Sequence, residues 1–426
     1  MEAANEPEVT QLLQLLDVEL IKEEVESLRP NYKVIKIHKK PNSMENINEW
    51  KGQFNLQIKI DFDDGKSWMM RIRRKAGIRP YPDEPLRMNL KGDVATCEVL
   101  YKGGIAVPYS IIRPGDSKLH PKLMYCYQTF IEGSPWKDFA PSKPRDQPLS
   151  PSTQSHIESI AKWFIYMEGI KFDKIGSPTF NLESREEVVI GPLIERQPSM
   201  TFPPYFGGPF RTAKERYLST INGRLEALKA RTLVDPSREV PIYLALLELK
   251  ELMGDDLELG RDTGPFYIRH ADDHWDHTRT KEGGNVTGII DWEWAYTTTK
   301  AEAFASPMYF LPSEFYHEGS NDMFSPREYA LIEAYQSLGR DDLADCVKNG
   351  RKYQRLIYFL KCMFTNVLEL NAIRKAFLKI PDEVDDDMPK TEEEWVEKML
   401  IKWQEDEGLR YLVENSVVEP VLPEQN

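Results

Sequence analysis

From residue 54 to residue 72 the chain alternates apolar and polar side chains with a period of two. Phe54, Leu56, Ile58, Ile60 and Phe62 are apolar, Asp63-Asp64-Gly65-Lys66 breaks the run, and Trp68, Met70 and Ile72 resume it. Successive side chains of a strand point to opposite faces, so this pattern fits no helix, and the Gly-containing break reads as the turn of a β-hairpin. Trp68, Met70 and Ile72 then share one face, which puts Met69, Arg71 and Arg73 on the other. Ahead of the hairpin, a helix is expected over 7–28, where Leu12, Leu13, Leu16, Leu20, Ile21 and Val25 recur at helical spacing before Pro30. Tyr32 to His38 reads as a weak strand and 88–102 as a helix stopped by Gly103-Gly104. Ile105 to Pro108 should open a strand, and Leu123 to Ile131 is a β-rich run closed by the turn Glu132-Gly133-Ser134-Pro135.

Beyond Ser152 helical spacing takes over, at about 152–169, 211–231, 241–252, 326–338, 345–377 and 392–415. Segments 133–151 and 192–210 are Pro-rich and read as loops, while 381–395 reads as an acidic linker into a last helix. A β-rich front and a helical rear exclude an α/β fold, in which strands and helices alternate throughout. The formal net charge of −14 offers no basic stripe for phosphodiester backbones, which argues against a nucleic-acid partner. Cys97, Cys126, Cys346 and Cys362 form no CxxC pair, so neither a zinc site nor a disulfide framework is expected. No run is long enough to cross a bilayer, and the first residues show no basic stretch leading into an apolar one, so a cytoplasmic protein is expected.

Chemistry concentrates between Phe266 and Ala295, FYIRHADDHWDHTRTKEGGNVTGIIDWEWA. One short apolar run ends in His270 with Asp272 just after it, and a second, Val286 to Ile290, delivers Asp291. Asp and His after strands can be mere turn formers and caps. That does not account for Asp291, a carboxylate set between Ile289-Ile290 and Trp292, which needs a cation or several donors to stay ionised there. Two carboxylates ending adjacent strands suit a Mg²⁺-nucleotide site, one aiming an attacking hydroxyl and the other holding the metal.

The same segment resembles the catalytic loop of the aminoglycoside phosphotransferase and choline kinase superfamily, in particular its fungal branch. His270 and Asp272 match the family's His-x-Asp, and Gly288-Ile289-Ile290-Asp291-Trp292-Glu293-Trp294-Ala295 is close to the fungal strand that carries the metal aspartate. The resemblance implies an α+β, bilobal, protein-kinase-like fold, with a β-rich nucleotide-covering lobe and a mainly helical one. The expected divisions are 1–126 for the first lobe, 127–133 for the hinge, 134–380 for the second lobe and 381–426 for the acidic linker and terminal helix. It also implies ATP and Mg²⁺ as cofactors, Asp272 as catalytic base, and His270 beside it as a buried hydrogen-bonding brace. Asp291 is the implied metal ligand. One position departs: the family's metal-binding Asn falls on His277, and Asp276 could supply an oxygen instead.

In the front lobe the resemblance assigns Arg71 to the phosphates and Asp93, in Asp93-Val94-Ala95-Thr96, as the carboxylate that holds it. Strand alternation does not separate Arg71 from Arg73, and Glu98 is a rival partner. Trp50-Lys51-Gly52-Gln53-Phe54-Asn55 resembles a phosphate-covering loop, which makes Gly52 and Phe54 candidate contacts. Gln128, Phe130 and Glu132 fall where the interlobe linker would meet adenine through its backbone. Few residues separate Asp291 from the helical sequence at Ala301, which leaves little room for a peptide platform and favours a small-molecule acceptor. The alternative expectation is a nucleotide- or ligand-binding pseudokinase, in which His277 has cost the site its transfer chemistry.

Overall fold

The computed structural model describes residues 6–38, 52, 54–75, 81–140, 146–181, 187–195, 203–261, 263–362, 366–384 and 388–415. The hairpin forms as its alternation requires. Strands β2 (Asn55–Phe62) and β3 (Ser67–Arg73) pair antiparallel with Leu56 opposite Ile72 and Ile60 opposite Trp68. They sit in a five-stranded sheet of order β1-β2-β3-β5-β4, with β1 (Val34–Ile37), β4 (Ser110–Ile112) and β5 (Tyr125–Thr129). One face of the sheet, with Ile58, Trp68, Met70 and Ile72, buries Val9, Leu16, Ile21 and Val25 of two helices, α1 (Glu6–Gln14) and α2 (Val18–Leu28). The expected continuous helix is broken because Asp17 caps α2, its side chain accepting from the Glu19 and Leu20 amides. Helix α3 (Asp83–Lys102) lies on the other face of the sheet, Leu90 and Val94 packing on Cys126.

One other expectation shifts. Ile105 to Pro108 forms no strand, and β4 starts only at Ser110, since Pro108 has no amide to donate to a ladder. Within β5, Tyr127 to Thr129 pair with Trp68 to Met70.

The second lobe is mainly helical. Helices α4 (Pro151–Glu168), α5 (Ala213–Lys229) and α6 (Pro236–Asp255) are followed by α7 (Pro326–Ser337), α8 (Asp341–Lys348), α9 (Arg351–Cys362), α10 (Val367–Leu378), α11 (Glu392–Lys402) and α12 (Glu407–Glu414). The pattern over 345–377 is three helices rather than one. The chain turns at Gly350, where a Cβ would sit 2.9 Å from that of Ala305. One core joins α5 and α6 to α9 to α12 through Tyr217, Leu244, Leu356 and Trp395. A second joins α4, α7 and α8 through Ile157, Leu331 and Val347 to Ile268 and Trp292.

Short strands carry the chemistry-bearing segment on this second core. β9 (Tyr267–Arg269) pairs with β12 (Tyr296–Thr298), and β10 (Thr278–Thr280) pairs with both β11 (Val286–Ile289) and β6 (Ser134–Pro135). β7 (Ser177–Phe180) and β8 (Val188–Gly191) form a separate hairpin. The link between lobes is tied to β10 and β11: Thr280 Oγ1 donates to Ser134 O at 2.8 Å and Thr287 Oγ1 to Glu132 O at 2.5 Å. Gly133 there has φ +124°, and a Cβ would approach Thr280 O to 2.7 Å, so the close crossing needs glycine. The whole is α+β, with a sheet-bearing lobe and a mainly helical one. Among the described residues, no helix is long and apolar enough to cross a membrane.

Candidate active site

The ends of β9 and β11 lie side by side, and His270 ties them. Its Nε2–H donates to Ile290 O at 2.9 Å, and its Nδ1 accepts the Asp272 amide at 3.2 Å. Both ring nitrogens are thus satisfied in the neutral tautomer. Burial, and then the neighbouring His277, hold its pKa below the ordinary value. This arrangement suits a brace and not a base.

His277 makes the second tie. Its Nδ1–H donates to Asp272 O at 2.7 Å, which turns Nε2 toward Asp291 Oδ2 at 3.4 Å. One imidazole therefore spans the backbone of Asp272 and the carboxylate of Asp291. With Nδ1 committed as donor, neutral His277 offers an Nε2 lone pair, the form a metal ligand takes. The Asp272 carboxylate has His274 Nε2 at 3.2 Å and Lys361 Nζ at 3.7 Å from Oδ1. The hydrogen bond that its ring donates to Asp272 raises the pKa of His274.

Asp291 has φ +69°, a conformation that costs a non-Gly residue about 1–3 kcal/mol and persists only where the surroundings fix it. Here Arg71 Nη2 donates to Oδ1 at 2.5 Å. The next residue, Trp292, is buried against Trp163 and the His270 ring. Burial alone would raise the Asp291 carboxyl, but Arg71 and His277 outweigh it and hold its pKa well below the usual range. Its side chain stays 24% exposed, so it is not sealed behind the core.

On the sheet side, Arg71 and Arg73 project from one face of β3 into a buried ionic cluster. Arg71 Nη1 donates to Gln128 Oε1 at 3.1 Å, and its Nη2 lies 3.5 Å from Glu293 and 4.0 Å from Asp93. Arg73 binds Glu293 directly, donates to Asn55 Oδ1 at 3.0 Å and reaches Asp93 at 3.4 Å. Asp93 thus sits nearer Arg73 than its expected partner Arg71, and it lies in the middle of α3. Glu98, the rival, pairs with Lys102 at 2.7 Å. Burial, and then the charge of Asp291, push the Glu293 pKa up. The two guanidinium groups face three carboxylates, Asp93, Asp291 and Glu293, which is a surplus of negative charge at the cleft. Sequence reasoning left Arg73 open as an alternative to Arg71 and missed Glu293. Their signal was a matching pair of i, i+2 spacings, Arg71/Arg73 on a strand and Asp291/Glu293 after one.

The remaining candidates are more scattered. Trp50, Lys51 and Gln53 lie outside the described residues. A Cβ at Gly52 would meet nothing closer than 3.4 Å, and its carbonyl accepts from Arg74 Nη1 at 2.6 Å, so no close approach requires glycine there. Phe54 is buried edge-on to Trp294 at 5.4 Å. The Gln128 side chain is buried beside Arg71 and Asp93. The Phe130 ring is exposed and its amide donates to Ser67 O at 2.9 Å, while the carbonyl of exposed Glu132 is taken by Thr287. Asp276 is exposed on the turn before Thr278 and acts on Arg279.

A cavity of about 370 Å³ opens beside Asp272. Asp272, Asp273 and His274 form one side, Arg216 and Tyr217 of α5 another, and Tyr358 and Lys361 of α9 a third; Arg71, His277 and Asp291 are not part of its lining. Among the described residues no group of three or more His, Cys, Asp or Glu could enclose a metal. The donor pair of His277 Nε2 and Asp291 Oδ2 fits instead an ion that completes its shell with phosphate oxygens and water, as Mg²⁺ in nucleotide sites does.

No protein-family model matches the chain, and no curated protein matches it significantly. It is similar in fold to several solved structures. A macrolide 2'-phosphotransferase type I shares 15% identity over 88% of this chain and 96% of its own, with a TM-score of 0.40. A protein described as a fructosamine-3-kinase from Thermobifida fusca shares 13% over 85% and 100%, at 0.43. The Plasmodium vivax ethanolamine kinase shares 15% over 88% and 81%, at 0.42. These likenesses carry no weight on this chain's chemistry at TM-scores below 0.5.

Proposed function

We propose that the chain is an ATP-dependent kinase that transfers the γ-phosphate to a hydroxyl of a small molecule. The observation that carries this reading is His277 spanning Asp272 O and Asp291 Oδ2. Asp272, Asp291 and the ionic cluster around Arg71 are then linked through one imidazole, a layout that suits phosphoryl transfer. When bound, Mg²⁺-ATP supplies the phosphoryl group and a divalent charge at the phosphates. Asp291 and His277 Nε2 would hold the metal, and Arg71, released from Asp291, would face the phosphates. Arg73 keeps Glu293 and Asp93 balanced beneath Arg71. Asp272 orients the acceptor hydroxyl and takes its proton, with His270 fixing the loop that presents it. Only eight residues separate Asp291 from the helix Lys300–Ala303, too short a stretch to seat a peptide and consistent with an acceptor entering the cavity beside Asp272. The free thiols and the need for ATP fit the cytoplasm as the compartment.

A second reading, a nucleotide- or ligand-binding pseudokinase, draws on one observation. Arg71 closes on Asp291 at 2.5 Å, where a metal would have to bind. Incubation of the full chain with Mg²⁺-ATP and a panel of small-molecule alcohols separates the two. The kinase reading expects ADP release with an acceptor gaining one phosphate, and loss of about 10²–10⁴-fold in Asp272→Asn. Nucleotide binding without ADP release across the panel would give the pseudokinase.

A further inference from the structure

The cavity beside Asp272 has a chemical character that narrows the acceptor. Each of its carboxylates already faces a cation of the chain. Glu195 accepts from Arg216 Nη2 at 2.8 Å, Asp273 lies 3.8 Å from Arg269 Nη2 and accepts the Met308 amide at 3.0 Å, and Asp272 has His274 and Lys361. Among the described lining residues, three carboxylates therefore face Arg216, Arg269 and Lys361. An acceptor bearing several ammonium groups would have to displace these ion pairs, two of which involve guanidinium groups buried to within a few per cent. Breaking a buried pair by removing one partner is costly, and nothing in the wall would repay it.

The walls between the charges are aromatic: Phe139, Tyr217, Trp275, Trp294, Tyr309 and Tyr358 all line the space. Four polar handles of the lining aromatic residues are spent inside the protein. Tyr217 and Tyr296 hydroxyls donate to Glu302 at 2.8 and 2.7 Å, Tyr316 to Met308 O at 2.7 Å, and Trp294 Nε1 to Glu293 at 3.1 Å. These side chains offer ring faces and edges to an occupant, with few free donors. A space of about 370 Å³ is also ample for a multi-ring molecule.

We propose that this cavity takes an uncharged, ring-bearing alcohol, its ring system held by the aromatic walls and its hydroxyl directed at Asp272, and that it excludes polycationic amino sugars. The direction of the hydroxyl rests on the kinase reading; the choice of ring over charge does not. The transfer itself would form a phosphate ester at that hydroxyl, break the bond between the β–γ bridging oxygen and the γ-phosphorus of ATP, and release ADP and the hydroxyl proton.

The test is binding by calorimetry to the full chain, with 2-(2-naphthyl)ethanol as probe and kanamycin and choline as cationic rivals, in the presence and absence of Mg²⁺ and a non-hydrolysable ATP analogue. The naphthyl alcohol is expected to bind at least tenfold tighter than either rival, and Tyr358→Ala to weaken it about tenfold. Lys361→Glu, which removes the cation facing Asp272 from the cavity wall, should improve kanamycin binding at low salt. Tighter binding of kanamycin or choline, no binding of the naphthyl alcohol, or binding that ignores Tyr358→Ala would each overturn the inference. The nucleotide arm is read separately. If the analogue binds and the naphthyl alcohol does not, the acceptor class is wrong and the kinase reading stands; the converse result leaves the acceptor class standing and removes the nucleotide.

Discussion

His277 is the residue on which the chemistry turns. Its Nδ1 is committed to Asp272 O, so Nε2 is the atom offered to Asp291 and to any metal there. Imidazole nitrogen favours Mn²⁺ and later divalent ions over Mg²⁺ more than an amide oxygen does. The nucleotide-loaded protein should therefore bind Mn²⁺ in preference to Mg²⁺, read by Mn²⁺ electron paramagnetic resonance with Mg²⁺ as competitor. His277→Asn should narrow that preference by about tenfold, the scale on which metal-site partners act. Equal preference in parent and variant would remove His277 from the metal. At this scale the sequence was partly legible. The roles open to Asp272, Asp291 and His270 could be argued from strand ends and apolar flanks. The sharing of duty between Arg71 and Arg73 could not, because period two puts both on one face and partners 220 residues away tell them apart, Asp291 for Arg71 and Glu293 for Arg73.

Among the elements, helix α4 and the β10–β11 hairpin meet through His156. Its Nδ1–H donates to Gly284 O at 2.8 Å, its ring stacks on Trp136 at 5.5 Å, and its Nε2 is buried without a hydrogen-bond partner among the described residues. Burial lowers its pKa to about 4, against an unfolded value near 6.5. The unfolded chain thus binds the proton more readily. The stability contributed by the neutral ring is complete above pH 6.5 and is lost as pH falls toward 4. His156→Asn keeps a donor for Gly284 and removes the titration. Urea unfolding at pH 7 and pH 5 should show the parent losing about 2 kcal/mol more than the variant over that interval. An equal loss in both would mean that the contact does not titrate. Element boundaries were legible where a local cause existed, as with the hairpin alternation and the helix ending at Gly103-Gly104. They were not legible where the cause was a distant contact. The break at Gly350 answers to Ala305, and the two-residue strand β6 exists only because β10 pairs with it.

For the molecule as a whole, the split into a sheet-bearing lobe and a helical lobe followed from the order of the two periodicities along the chain. The ionic cluster joining the lobes did not, because Arg71 and Arg73 come from one and Asp291 and Glu293 from the other. That cluster carries a surplus of negative charge that a metal-bound triphosphate site would use, and this is the central claim. The most direct measurement is the thermal unfolding midpoint with ATP, with and without Mg²⁺, in the parent and in Asp291→Ala. Ligand at about 100 times its dissociation constant stabilises a folded protein by about 2.7 kcal/mol. The midpoint is expected to rise with Mg²⁺ in the parent and to lose its Mg²⁺ dependence in Asp291→Ala. No rise in the parent, or the same Mg²⁺-dependent rise in both proteins, would contradict the claim.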